Sequence, residues 1–146
     1  MTDIPETVLE ELAARARAAR ANAYAPYSHF TVGAAALAAS GRIYEGANVE
    51  NASYPAGMCA ERNAIGAAVC GGERRLLAMA ICGGPEGGPP ANCPPCGICR
   101  QAMREFCDPA DFRVIASGAG EASRPRTLAE LLPESFGPEA LRPFAT

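Results

Sequence analysis

Leu76-Leu77-Ala78-Met79-Ala80-Ile81 is an unbroken apolar run between Gly71-Gly72 and a glycine- and proline-rich stretch from Gly83 to Pro95. A run of this kind, with no polar alternation, reads as a central strand buried on both faces. Upstream of it, Met58 to Cys70 reads as a helix with Ala60, Ala64, Ile65, Ala67, Ala68 and Val69 on its buried side, stopped by Gly71-Gly72. Downstream, Gly83 to Pro95 reads as loop, and Pro94-Pro95 launches a second helix from Cys96 to about Cys107. Arg113-Val114-Ile115-Ala116 is a further strand. Thr127-Leu128-Ala129-Glu130 carries a capping-box signature for a short helix ended by Pro133. Ser135-Phe136-Gly137-Pro138 closes with a turn, and the tail after it is weakly specified.

The N-terminal part completes the pattern. Asp3-Ile4-Pro5-Glu6 is a helix start with Asp3 as cap, and Val8, Leu9, Leu12, Ala13, Ala16 and Ala19 then recur at helical spacing to an end near Ala23. Residues 31–39 are small and apolar, like a strand covered on both sides, and Ser40-Gly41 turns the chain into Arg42-Ile43-Tyr44-Glu45-Gly46 as a hairpin partner. The order helix, hairpin, helix, strand, helix, strand predicts an α/β three-layer sandwich, with residues 1–146 as one domain.

Composition narrows the function. Nearly half the residues are hydrophobic and the net charge is −3, with no basic cluster able to track phosphates, so long nucleic acid is not expected as a partner. All thirteen cationic side chains are arginine. The N-terminus does not resemble a signal peptide and no apolar segment is long enough to span a bilayer. Seven cysteines in that context suggest a reducing, cytoplasmic compartment and metal or redox chemistry rather than a disulfide framework.

Two short stretches carry that chemistry: Cys59-Ala60-Glu61-Arg62 and Pro95-Cys96-Gly97-Ile98-Cys99-Arg100-Gln101. A Cys-x-x-Cys pair opening a helix brings two sulfurs within reach of one tetrahedral ion, and Cys59 would supply a third, leaving one position for water. Both segments lie where a loop becomes a helix, whose partial positive charge favours the thiolate. Glu61 sits two residues beyond Cys59, close to the metal without having to bind it, as a proton shuttle requires. Three thiolates leave a net charge of about −1 on the ion, which works against acidifying its water; restoring a couple of pKa units takes roughly 3 kcal/mol of positive potential. The helix ends supply part of this, and Arg62 the rest if it donates to the sulfurs; otherwise it is a surface arginine. Spacing alone leaves three options open: a catalytic zinc, a structural zinc closed by Cys93 through the overlapping Cys93–Cys96 pair, and a redox Cys-x-x-Cys. His29, the lone histidine, is left outside the site. Asn48 and Glu50 point to one side of an extended chain, a pairing that suits a ligand hydroxyl, although taken alone a solvated loop explains it better.

The combination of motifs closely resembles the small, homotetrameric, zinc-dependent cytidine deaminases, with cysteine where the wider deaminase pattern has histidine as first ligand. The resemblance extends through residues 25–33, Asn48-Val49-Glu50-Asn51-Ala52-Ser53-Tyr54, and Leu131 to Pro138. It implies Cys59, Cys96 and Cys99 as zinc ligands and Glu61 as proton donor and acceptor. Asn48 and Glu50 would hold the ribose 3′-hydroxyl, Phe30 would pack on the base, and the Ala60 backbone would meet its polar edge. Ala52 and Tyr54 would come from one neighbouring subunit and Phe136 from another. The implied fold is a mixed five-stranded sheet between helices, and the implied reaction is hydrolytic deamination of cytidine and 2′-deoxycytidine in pyrimidine salvage. Departures are the glycine- and proline-rich loop, Cys93 and Ile98. Blasticidin deaminases share the zinc motifs, but Asn48-Val49-Glu50-Asn51 favours a ribose substrate.

Overall fold

The computed structural model describes residues 3–118 and 124–141; the expected weakly specified tail beyond residue 141 lies outside them. The elements are α1 (Glu6–Ala19), β1 (Phe30–Ala38), β2 (Ile43–Ala47), α2 (Ala60–Cys70), β3 (Leu76–Pro85), β4 (Ala91–Asn92), α3 (Gly97–Arg104), β5 (Arg113–Ala116), β6 (Arg126–Thr127) and α4 (Leu128–Leu131). The strands form one mixed sheet in the order β2-β1-β3-β5-β6, with β4 pairing on β3. Among the strands of the described residues only the β3–β5 pair is parallel, and α3 lies in the crossover that such a pair needs.

The apolar run of β3 is explained by what covers it. Met79 and Ile81 face a core built with Ala60, Ala64 and Ile65 of α2 and Cys99 and Met103 of α3. Ala78, Ala80 and Cys82 face the opposite core, with Leu12 and Ala16 of α1. Alternate residues therefore enter different cores, and neither face of the strand is left for water. The result is the expected three-layer sandwich.

Small residues on β1 and β2 bring the helices in until backbones touch. A Cβ at Gly33 would stand 2.1 Å from the Ala16 carbonyl oxygen of α1, and one at Gly46 would stand 2.3 Å from the Ala60 carbonyl oxygen of α2. The second contact seats the first turn of α2, where Glu61 lies.

Several expectations need correction. Pro5, not Asp3, is the N-cap of α1: its carbonyl takes the bonds from the N–H groups of Val8 and Leu9, and proline has no N–H to leave unpaired. The helix read from Met58 begins at Ala60, because Met58 is paired in a bridge with Val49. Ala67 is exposed and Val69 only half-buried, while Glu61 takes a buried place on that face. The second cysteine helix ends at Arg104, short of Cys107. Gly83 to Pro95 is not all loop, since β3 runs on to Pro85 and Ala91-Asn92 folds back on Cys82-Gly83. Among the described residues the sheet has six strands rather than five, and two of the six, β4 and β6, are only two residues long.

Candidate metal centre

Cys59 is the N-cap of α2 and Cys96 the N-cap of α3, both in extended backbone conformation without a side-chain cap. Their carbonyls accept the first helical bonds, from the N–H of Asn63 at 3.1 Å and of Arg100 at 3.0 Å. Cys99, in the first turn of α3, is fully buried. The sulfurs of Cys59, Cys96 and Cys99 all lie within 4.8 Å of one another. Three sulfurs held tetrahedrally about 2.3 Å from one zinc ion would be about 3.8 Å apart, so the cluster fits that ion with little adjustment. Soft thiolates also suit zinc better than the hard oxygen-seeking cations.

The electrostatics agree with the donor set. The Cys59 thiol is brought down to about 5, chiefly because the Cys99 thiol donates to it and secondarily through Arg62. Cys99 is correspondingly pushed far up as the donor of that pair. Cys59 is thus the first thiolate, and a metal would displace the remaining protons. The Arg62 Nη2 donates to the Cys59 sulfur at 3.8 Å and to the Gly57 carbonyl at 3.3 Å. Its Nε is buried with no hydrogen-bond partner among the described residues. Arg62 is therefore a half-buried charge against the sulfur cluster, not a solvated surface arginine.

Glu61 is only 5% exposed. Burial raises its pKa, with negative charge on Cys59 adding to the effect. A buried carboxyl beside a sulfur cluster, holding its proton more tightly than an ordinary carboxylate, is equipped to take and return a proton.

Cys93 does not join the three sulfurs within that radius. It packs instead over Gly83, where a Cβ would come within 2.9 Å of the Cys93 sulfur and 3.0 Å of the Phe30 ring. Burial raises the Cys93 thiol to about 11, so it stays protonated at neutral pH. Phe30 itself remains 42% exposed, with ring surface free for a flat partner.

Asn48 and Glu50 both grip the segment that leads into β1. The Asn48 Oδ1 accepts from the N–H of Val32 at 2.7 Å, and its Nδ2 donates to the Phe30 carbonyl at 3.0 Å. One N–H and one lone pair of the amide remain uncommitted. Glu50 accepts from the N–H groups of Tyr27 and Ser28, at 2.9 and 3.2 Å, and from the Ser28 hydroxyl. The Ser28 hydroxyl is the main reason that its carboxyl lies below the usual range. A cavity of about 370 Å³ opens at this end, lined by Tyr27, Ser28, Glu50, Asn51, Tyr54 and Gly57. His29 pairs with Glu86 at 3.0 Å, away from the sulfurs. Ala52 is exposed, Tyr54 is 77% exposed and Phe136 is 60% exposed, the last two being large apolar side chains left uncovered by their own chain. Ala60 is fully buried, at the start of α2, where helical N–H groups lack intrahelical partners.

Sequence reasoning missed Ser28, whose hydroxyl locks Glu50, and the α3 side chains that hold the Phe136 backbone. Gly137 next to Phe136 was the available signal for a close approach.

Residues 6–115 match the family model for the cytidine and deoxycytidylate deaminase zinc-binding region. The chain is 43% identical over 133 residues to a cytidine deaminase from Sporosarcina psychrophila, covering 91% of this chain and 94% of that one. It is 39% identical over 139 residues to the cytidine deaminase of Mycobacterium tuberculosis, covering 92% and 93%. Among solved structures, cytidine deaminase from M. tuberculosis superposes with a TM-score of 0.76 at 39% identity, covering 92% of this chain and 99% of that one. The Burkholderia pseudomallei cytidine deaminase gives 0.76 at 42% identity, covering 87% and 98%.

Proposed function

The chain belongs to the cytidine and deoxycytidylate deaminase family, and on that premise we propose that it hydrolyses cytidine and 2′-deoxycytidine to uridine and 2′-deoxyuridine, releasing ammonia. The observation that carries this conclusion is the Cys59, Cys96 and Cys99 cluster with buried Glu61 at its side. Cys59, Cys96 and Cys99 would hold a zinc ion, which when bound would supply Lewis acidity and activate a water toward C4 of the base.

The remaining work falls to the chain's own groups. Glu61 takes one proton from the attacking water and delivers it to N3, then moves the second proton of that oxygen to the amino group, so that the C4–N bond breaks as C4=O forms and water plus cytidine balance to uridine and ammonia. Its burial excludes bulk water from that transfer. Arg62 steadies the negative charge collected on Cys59. Phe30 packs on the base, and the free N–H groups at the Ala60 end of α2 meet its polar edge. Asn48 and Glu50 hold the ribose 3′-hydroxyl, having been fixed by Phe30, Val32, Tyr27 and Ser28 before substrate arrives, which limits the ordering cost of binding.

The exposed Tyr54 and Phe136, with Ala52, support a homotetramer in which neighbouring subunits complete each pocket; residues 1–146 then act as one catalytic unit per subunit. The seven free cysteines, three of them set as metal ligands, support a reducing cytoplasmic setting and a place in pyrimidine salvage. Ultraviolet absorbance followed on adding cytidine tests the function. Turnover that stops with a chelator and returns with zinc is expected; a zinc-replete protein without turnover would overturn it.

A further inference from the structure

Arg104, at the last turn of α3, is 8% exposed. A guanidinium is buried at such cost that its partners show what it is for. Its Nε donates to the Ser135 hydroxyl at 2.9 Å, and its Nη2 pairs with the Glu139 carboxylate. Between them the guanidinium lies flat on Gly137: a Cβ there would fall 2.3 Å from the Arg104 Cζ. One turn earlier on α3, the Gln101 Nε2 donates to the Phe136 carbonyl at 3.0 Å. Residues 135, 136, 137 and 139 are all held from one helix, yet the Phe136 side chain is left exposed. A backbone fixed on both sides of an uncovered aromatic ring is a preorganised anchor, since its ordering has been settled before any partner meets it.

We propose that Arg104 is a positioning residue that acts in trans, fixing Phe136 of one subunit so that its ring meets the nucleoside bound in another. This rests on the shared-pocket reading above. One helix then serves two sites. Its first turn brings Cys96 and Cys99 to the subunit's own metal, and its last turns aim an aromatic ring at the neighbour's substrate.

The test uses zinc-loaded protein and Arg104→Gln, which breaks the fork while leaving a polar side chain. We expect KM for cytidine to rise about tenfold or more while kcat changes by less than about threefold, because the ring contacts substrate and transition state alike. Metal content and assembly size stay as in the parent. Loss of zinc or of assembly together with kcat would show a purely structural role and overturn the proposal.

Co-expression with Glu61→Gln separates cis from trans. In mixed assemblies the working Glu61 belongs only to Arg104→Gln subunits, and the well-held Phe136 only to Glu61→Gln subunits. Sites with the parent's KM should reappear; a KM fixed at the Arg104→Gln value in the mixture would overturn action in trans. Phe136→Ala distinguishes the two levels of inference. If it leaves KM unchanged, the shared pocket itself fails; if it raises KM and Arg104→Gln does not, only the clamp fails. Should Arg104→Gln not fold, Glu139→Gln, altered on the exposed side of the pair, is judged by the same KM and mixing results.

Discussion

Replacing Gly46 by alanine perturbs the seating of the metal-bearing helix directly. The added Cβ would lie 2.3 Å from the Ala60 carbonyl oxygen and 2.4 Å from the Ala64 nitrogen, both backbone atoms that no rotamer change can move. Ordinary contact begins near 3.4 Å, so either α2 retreats or β2 bows outward by about 1 Å. Both carry the site: α2 brings Glu61, and β2 runs on to Asn48 and Glu50. Overpacking of this kind costs about 1–3 kcal/mol, or a fall of about 2–12 °C in Tm for a chain of this size. A misplacement of about 1 Å between catalytic and binding groups can lower the rate about 100-fold. Thermal unfolding and cytidine turnover, measured on the same zinc-loaded preparation, read both effects. Gly66→Ala, on the same helix, is the control. A Cβ there meets nothing within 4 Å, so it should stabilise by about 0.5–1 kcal/mol and leave turnover alone. Gly46→Ala protein as stable and active as the parent would refute the close seating of α2 and the link drawn from it to the chemistry.

Glu61→Gln should keep zinc and fold while losing about 100- to 10,000-fold in kcat, the usual worth of a positioned acid–base group; metal analysis and absorbance kinetics check it, and a small loss would remove Glu61 from the proton transfers. Cys93→Ser should retain both zinc stoichiometry and turnover, because Cys93 packs on Gly83 and not with the three sulfurs; loss of metal affinity would restore the closed-site alternative. For Glu50, the folded-state pKa lies below its unfolded value. Its stabilising contribution is therefore fully present above about pH 4.3 and disappears as pH falls through the folded-state value. Denaturant unfolding of the parent and of Glu50→Gln should show a stability gap that is constant from pH 7 to about 5 and narrows in acid; a gap that widens in acid would contradict the Ser28 clamp.

Much of this fold is written in local pattern. The small apolar run of β1 and the unbroken run of β3 could be read because both faces of each strand meet helices. The capping box also formed as written, with the Glu130 N–H on the Thr127 hydroxyl at 3.1 Å and the Thr127 N–H on the Glu130 carboxylate at 2.7 Å. β4 and β6 were not legible, since two residues carry no period and their pairing is decided by the strand beside them. Asp3 lost the cap to Pro5 because two motifs for a helix start overlapped and only one carbonyl could take the first bonds. At the site, spacing alone left Cys93 open as a fourth ligand and the three-cysteine set came from the family resemblance; the structure brings the Cys59, Cys96 and Cys99 sulfurs within 4.8 Å of one another. The burial of Glu61 was not readable, because an acidic residue in a first helical turn ordinarily faces water. Nothing in the local sequence singles out Arg104, because its partners lie 31 and 35 residues away.

Zinc K-edge X-ray absorption on the purified, metal-loaded protein examines the centre most directly. Three sulfur scatterers at about 2.3 Å and one lighter atom are expected from Cys59, Cys96 and Cys99, with the same pattern in Cys93→Ser. Four sulfurs in the parent, falling to three in Cys93→Ser, would mean a closed structural site and would contradict the account.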